Sequence, residues 1–399
     1  MRLDDTKKLF IGQIAVGLCS LIATVFIARY VGPAIFGFCA SSILIASVIL
    51  DLIDFGSCSW SARELANGGI SKRRYLEIMR KQTRKTLLIT TLAPFLILFS
   101  PSNFEMVFLF LFYPALWLRT NYIQQFLIVH ERIKEAISLQ LLERLFWLIY
   151  IVASVLEVDK ITTFVIPILL GLLVHGLLGT KLIMNEKESS EEGFDDTENI
   201  DNKFSNLKNF GLISVISNVG NLDGAVVATV STLAESGNYN LAVRFRNPIQ
   251  LSFQVFSARL RPVAARKNKI EIATLFRSNL TFLVFGILGI IVLSAFAYEG
   301  AIVLFGDSFV GLNMVLSMGL LCSIPNGIGV ICGSFLTSVG FEDFMAKATL
   351  YYVFASLSGI AIAAYLFGSF GAIFSSLITG ILLSMILVKK SLKEFFMLT

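Results

Sequence analysis

The sequence predicts an all-α integral membrane protein of about twelve transmembrane helices, in two six-helix lobes around a central cavity. Three observations carry that expectation. Apolar residues make up 55% of the 399-residue chain against 15% charged, with a mean hydropathy of +0.76. A water-soluble protein of that balance would expose far too much apolar surface. Twelve apolar segments can be drawn, at 9–29, 34–54, 86–103, 106–127, 136–156, 161–183, 207–232, 239–262, 279–298, 310–337, 346–367 and 371–388. Each can supply the ~17–25 residues that a spanning helix needs. Third, the basic residues alternate: one set of gaps holds clusters such as Lys72–Arg74, Arg80–Lys85, Arg266–Lys269 and Lys389–Lys393, while the other holds only Arg29 and Lys160. Positive charge is retained on the cytoplasmic side, so both termini are expected there.

The first segment reads as a retained helix. Its apolar run is about 19 residues, longer than a signal core, with no small-x-small cleavage site, and Leu18 before Cys19 argues against a lipoprotein site. Gln13, Gly17, Ser20 and Thr24 share one of its faces, and Ser47, Asp51 and Asp54 share one face of the second. The basic stretch 63–85 reads as a helix on the inner leaflet, where anionic lipids attract it. In the fourth segment Arg119 departs from the polar face of Thr120, Asn121, Gln124 and Gln125, as a side chain snorkelling inward would. In the fifth, Gln140, Glu143, Arg144 and Trp147 fall within one ~100° arc. Glu143 and Arg144 either neutralise each other or bind elsewhere. His175, alone in the sixth, reads as a helix-packing group ahead of a proton relay.

Residues 185–206, NEKESSEEGFDDTENIDNKFSN, are acidic and polar, the composition of a flexible linker. They divide the chain into an N-terminal lobe (1–184) and a C-terminal lobe (207–399). Six helices per lobe give both lobes one orientation, so a repeat would be parallel. A faint echo supports this: VGPAIFGFCA (31–40) laid against STLAESGNYN (231–240) matches Ala34 with Ala234 and Gly37 with Gly237.

The second half carries the clearest intramembrane polarity, which is costly in lipid and marks cavities or partners. Ser214, Ser217, Asn218, Asn221 and Thr229 share a face of the seventh segment, and Asp223 points to the opposite side. Gly220 and Gly224 either admit a neighbouring helix or break the helix and redirect Asp223, whose roles as ion-coupling group and structural hydrogen-bond acceptor stay open. In the eighth, Arg246, Asn247, Gln250, Gln254, Ser257 and Arg261 fall within one ~100° arc, with Arg244 on its flank and Pro248 expected to bend the helix. The plainer reading is that the arginines snorkel and the amides join helices. A run of amides between two cations favours a water-lined path.

The remaining signals exclude more than they assign. The five cysteines lie in or beside apolar segments and read as small buried hydrophobes, with no metal site. There is no phosphate-binding glycine loop, no paired nucleophile and base, and only two histidines, so neither enzyme chemistry nor a cofactor is expected. The net charge of +5 is the topology signal and points to no nucleic acid. Arginine suits bidentate capture of phosphate, so the cavity suits an anionic or sugar-bearing substrate.

The chain resembles a known family. IARYVGPAIFGFCASS (27–42), LDLIDFG (50–56) and ARELA (62–66) resemble the amino-terminal signature of polysaccharide exporters. These are the Wzx-type O-antigen (O-unit) flippases of the multidrug/oligosaccharidyl-lipid/polysaccharide (MOP) superfamily. ESGNYNLAVRFRNPI (235–249), with Arg261-Pro262 beyond it, resembles their seventh-to-eighth-helix region, and LFGDSFV (304–310) is compatible. The resemblance implies a non-enzymatic flippase of the bacterial inner membrane working by alternating access. It would carry an undecaprenyl-diphosphate-linked oligosaccharide to the periplasmic leaflet, for O-antigen, lipopolysaccharide or other surface polysaccharide. It also implies H+ or Na+ as coupling ion, membrane lipids around it, and a polysaccharide polymerase and chain-length regulator as partners. The expected substrate residues are Arg246, Asn247, Gln250, Gln254, Arg244, Arg144, Asn218 and Asn221, with Asp223 and Glu143 as ion-coupling candidates. A related antiporter exporting a small molecule is the second reading. A membrane polymerase or ligase is the third, weakened because the longest loop is cytoplasmic and acidic.

Overall fold

The computed structural model describes residues 3–66, 69–91, 104–147, 160–185, 215–216, 218–265 and 269–397. Their regular structure is helical, with no strand among the described residues. The acidic linker expected at 185–206 falls outside them except for Asn185, as do Ser214 and Ser217.

Glycine and proline set the first boundaries. Helix α1 (Leu3–Val31) stops at Gly32, whose φ of 83° is a left-handed conformation that a Cβ would penalise. Pro33 then opens α2 (Pro33–Asp54), at the helical position where a missing N–H costs nothing. Asp54 ends α2 and starts α3 (Ser57–Ala66): its Oδ2 accepts from the Cys58 N–H at 3.1 Å, one of the orphan donors of a helix start. Ser71 caps α4 (Lys72–Thr90), accepting from the Arg74 N–H at 3.2 Å.

The basic stretch is helical, but it is not a separate surface helix. Most of it is the first part of α4, which continues into the next apolar segment and buries Tyr75 and Met79. Tyr75 Oη donates to the Tyr122 carbonyl at 2.8 Å, fastening α4 to α5 (Phe104–Val129). The stretch carries an apolar stripe beside its cations, and packing of that stripe overrides attraction to the surface. Helices α6 (Ile133–Trp147) and α7 (Lys160–Met184) follow.

In the second half, a 3₁₀ turn at Gly220–Leu222 leads into the short α8 (Asp223–Val230). Helix α9 (Leu233–Ala265) runs through Pro248 as one helical assignment, and α10 (Lys269–Phe305) follows. Helices α11 (Leu312–Leu321) and α12 (Ser323–Val339) break at Cys322 but form one membrane-length stretch. Helix α13 (Glu342–Met397) holds two of the expected segments, separated by a kink at Phe367 and Gly368. Glu235 receives the Ser369 N–H at 2.8 Å and the Ser369 hydroxyl, capping the second half of α13 just past that kink.

Six described stretches are long and apolar enough to cross a bilayer. The α10 surface explains why water is the wrong solvent: Phe285, Phe296 and Val303 are 68%, 71% and 75% exposed. Hydrocarbon covers such a face at no cost, and the chain is a multi-pass membrane protein.

The chain divides into two compact units, residues 1–23 with 42–222 and residues 24–41 with 223–399. Tyr75, Tyr122, Phe126 and Leu118 centre the core of the first. Phe253, Phe256, Phe335 and Leu387 centre that of the second. Residues 24–41 join the second through a close helix crossing. A Cβ on Gly37 would strike the Leu233 carbonyl oxygen and lie 2.6 Å from the Gly237 nitrogen; one on Gly237 would strike the Pro33 carbonyl oxygen. The contact is reciprocal at a constant offset of 200 residues, the offset of the internal echo. Buried polar contacts reinforce it: Ser41 Oγ lies 2.9 Å from Ser236 Oγ, and Ser236 Oγ donates to the Gly224 carbonyl at 2.9 Å.

Candidate functional site

Buried ionisable groups cluster in both units among the described residues. In the first, α6, α5 and α7 bring together Glu143, Gln124 and His175. His175 Nδ1 lies 2.7 Å from Glu143 Oε2, with Glu143 and His175 only 3% and 1% exposed. Gln124 Nε2 lies 3.0 Å from the Ala136 carbonyl and 2.9 Å from His175 Nε2. A carbonyl only accepts, so the Gln124 atom facing it is the amide nitrogen, and His175 Nε2 must accept as well. His175 is therefore the neutral tautomer whose Nδ1–H donates to Glu143.

Glycines let the helices approach there. A Cβ on Gly171 would lie 2.8 Å from the Glu143 carbonyl, and one on Gly179 would strike Ile123 at 2.5 Å. Arg144 Nη1 sits 3.4 Å from Glu143 Oε1 and its guanidinium lies 4.1 Å from the Trp147 ring centre. Of the two readings of this pair, the ion pair is present, and the histidine is a second and closer partner of Glu143. Gln13 Nε2 donates to Gln140 Oε1 at 3.0 Å, bringing the expected faces of the first and fifth segments together.

Arg119 is tied to the neighbouring helix: its Nη2 donates to Thr180 Oγ1 at 2.9 Å. Asp54 is 6% exposed and acts as the α3 cap, receiving the Tyr122 hydroxyl at 3.3 Å as well.

In the second unit Asp223, which follows the 3₁₀ turn at Gly220–Leu222 and opens α8, is buried. Its Oδ2 accepts from Tyr239 Oη at 2.8 Å and its Oδ1 from the Gly224 N–H at 2.8 Å. A Cβ on Gly224 would displace the Asn240 amide. Arg246 lies within electrostatic reach of Asp223, Tyr239 and Tyr352. Its Nε is buried and makes no hydrogen bond among the described residues.

The α9 stripe is divided. Asn247, Gln254 and Arg261 are exposed and Gln250 half-buried, but Ser257 is buried, so the stripe is interrupted towards its basic end. Arg244 turns away from it: Nη1 lies 3.4 Å from Thr24 Oγ1 and the guanidinium 5.3 Å from the Phe36 ring centre. Asn221 is exposed and donates to Asn218 Oδ1 at 3.0 Å, so that pair is tied to itself.

Sequence reasoning missed Tyr239 and Tyr352 altogether. Tyr239 stands in the GNYN motif, and its hydroxyl beside two intramembrane asparagines was the available signal. Nothing in the sequence linked His175 to Glu143 or Gln124, whose separations of 32 and 51 residues follow no helical period.

Comparison with solved structures identifies the fold. The fold matches a MATE transporter solved in complex with MaL6, at 13% identity and a TM-score of 0.71, over 99% of this chain and 96% of that one. It matches a MOP superfamily transporter from Pyrococcus furiosus, described by a reversed polarity of its binding pocket, at 13% identity and a TM-score of 0.67, over 99% and 96%. A multidrug resistance MATE family transporter in its inward-facing conformation matches at 14% identity and a TM-score of 0.66, over 98% of both chains. At these identities the likeness concerns the fold, the all-α, two-lobed fold of MOP transporters. No curated protein matches the chain significantly. The polysaccharide biosynthesis protein family model matches residues 3–267, and the chain belongs to that family.

Proposed function

We propose that the protein is a lipid-linked oligosaccharide flippase. It moves an undecaprenyl-diphosphate-linked repeat unit from the cytoplasmic to the periplasmic leaflet of a bacterial inner membrane, in the synthesis of O-antigen or another surface polysaccharide. Family membership supports the pathway class. The observation that carries the substrate class is Arg246, which presents a buried Nε without a hydrogen-bond partner among the described residues, beside the exposed amide of Asn247.

A buried guanidinium nitrogen left unpaired is costly. A diphosphate, with planar and repeated oxygens, satisfies it in the bidentate manner arginine favours. Asn247, Gln250 and Gln254 offer amide donors and acceptors of the kind sugar hydroxyls need, while the prenyl chain stays in an apolar environment. Moving such a head group through lipid unaided is prohibitive, so the polar face of α9 must open to one leaflet at a time. No covalent step is required. Some relatives in fold are named as multidrug transporters; a guanidinium with an unsatisfied Nε–H favours an anion over a cationic drug.

The test is transport in vesicles holding the purified protein and a fluorescent undecaprenyl-diphosphate glycan in one leaflet. Arg246→Ala should slow translocation at least about tenfold, the loss of roughly one charged hydrogen bond. Arg246→Lys should recover part of it, because lysine keeps the charge but not the fork. Wild-type speed in the Ala variant would remove Arg246 from the substrate site.

A further inference from the structure

The polar clusters leave unused a cavity of about 520 Å³ inside the second unit. Phe253, Phe276, Leu283, Ile331, Phe335 and Phe395, from α9, α10, α12 and α13, are among the side chains lining it. Its walls are almost wholly apolar.

One cation stands at its edge. Lys269 begins α10 and, at 100° per residue, shares a face with the lining residues Ile272 and Phe276. Its Nζ lies 5.7 Å from the ring centre of Phe395, itself part of the wall. Further positive charge flanks the same end: Lys389 and Lys393 are exposed on the turns of α13 that carry Val388 and Leu392 into the wall. This is the end of the chain's helices where basic residues gather, the side facing the cytoplasmic leaflet by the positive-inside rule.

An apolar cavity with a cation at its mouth is complementary to a single-chain anionic amphiphile. A cavity of about 520 Å³ has room for a single chain, so a diacyl phospholipid would leave its second chain outside it. We infer that this cavity receives the prenyl chain of a polyprenyl phosphate lipid, with Lys269 beside its phosphate. The inference rests on the flippase reading and deepens it: a chain held there would keep the substrate at the second unit while its glycan engages the α9 face.

The test captures lipid without measuring transport. A photoreactive benzophenone amino acid replaces Leu392, which lines the cavity and is 51% exposed, in the full-length protein in nanodiscs. A second protein carries it at Phe296, exposed on α10 away from the cavity. The probes are undecaprenyl monophosphate, undecaprenol and phosphatidylglycerol. The 392 position should capture undecaprenyl monophosphate in preference to both other lipids, and the 296 position should show no such preference. Lys269→Glu should lower capture about tenfold, as reversing one charge at a membrane surface implies. Ile331→Trp, which fills the cavity, should abolish it; Lys269→Glu keeps the test intact if the tryptophan variant does not fold.

Equal capture of phosphatidylglycerol, or equal capture at 296, would overturn the assignment. The two hypotheses separate cleanly. Glycan transport without capture at 392 removes the cavity and leaves the flippase; capture at 392 without glycan transport does the reverse.

Discussion

Asp223 is the acidic residue set deepest in the second unit, and both of its oxygens are already occupied, by Tyr239 Oη and the Gly224 N–H. Those two donors hold the carboxylate in place, and Arg246 lies within electrostatic range of it. An intramembrane carboxylate in such surroundings is suited to exchanging a cation for its arginine neighbour as the transporter cycles. Asp223→Asn should therefore abolish the response to an imposed H+ or Na+ gradient in reconstituted vesicles, while binding of the lipid-linked glycan changes by less than about threefold. An Asn variant that still responds to both gradients would mark Asp223 as a purely structural acceptor and pass the coupling role to Glu143. Position along the helix could not have decided this. On a straight seventh helix Asp223 would lie opposite the polar face, and the 3₁₀ turn at Gly220–Leu222 just ahead of it has no signature in the helical period.

At the scale of elements, legibility followed the range of the interaction. The 100° arc of Gln140, Glu143, Arg144 and Trp147 was readable because it is local, and Glu143 and Arg144 do pair. The α9 stripe was readable as a pattern, but the burial of Ser257 depends on neighbouring helices that periodicity does not reveal. The echo of 31–40 in 231–240 looked thin as two small-residue matches. It turns out to mark a place where backbones touch reciprocally, Gly37 on Leu233 and Gly237 on Pro33. Small residues serve there because bilayer hydrocarbon gives helices no hydrophobic reason to associate, so close backbone approach must supply the attraction.

A substitution pair tests that account. Gly237→Ala puts a methyl group into the Pro33 carbonyl and should destabilise the purified protein by about 1–3 kcal/mol, read as a lower thermal midpoint. Gly286→Ala on α10 meets nothing within 4 Å. It should be neutral or stabilise by up to about 1 kcal/mol, through helix propensity alone. Equal effects from the two would mean that the crossing is not tightly packed in the membrane.

For the whole molecule, the strongest inference from sequence is orientation, because it rests on a sum over many loops and on no single contact. Lys72–Arg74, Arg80–Lys85 and Lys389–Lys393 lie in gaps flanking the apolar segments that alternate with gaps holding almost no positive charge. Moving any of these groups across hydrocarbon during insertion is unfavourable, so the charge sum selects one topology. The expected topology has both termini and the acidic 185–206 stretch in the cytoplasm, and the turn after α10 outside. Single cysteines at Ser190 and Ser308 in a cysteine-free background read this out, and Ser308 is exposed in the structure. An impermeant thiol reagent added to intact cells should label position 308 and spare 190, with both labelled after lysis. Labelling of 190 alone would invert the protein. The basic end of α10 would then face the periplasm, where the cavity bordered by Lys269 could not meet a glycolipid made on the cytoplasmic side, and the direction of transport would have to be reversed with it.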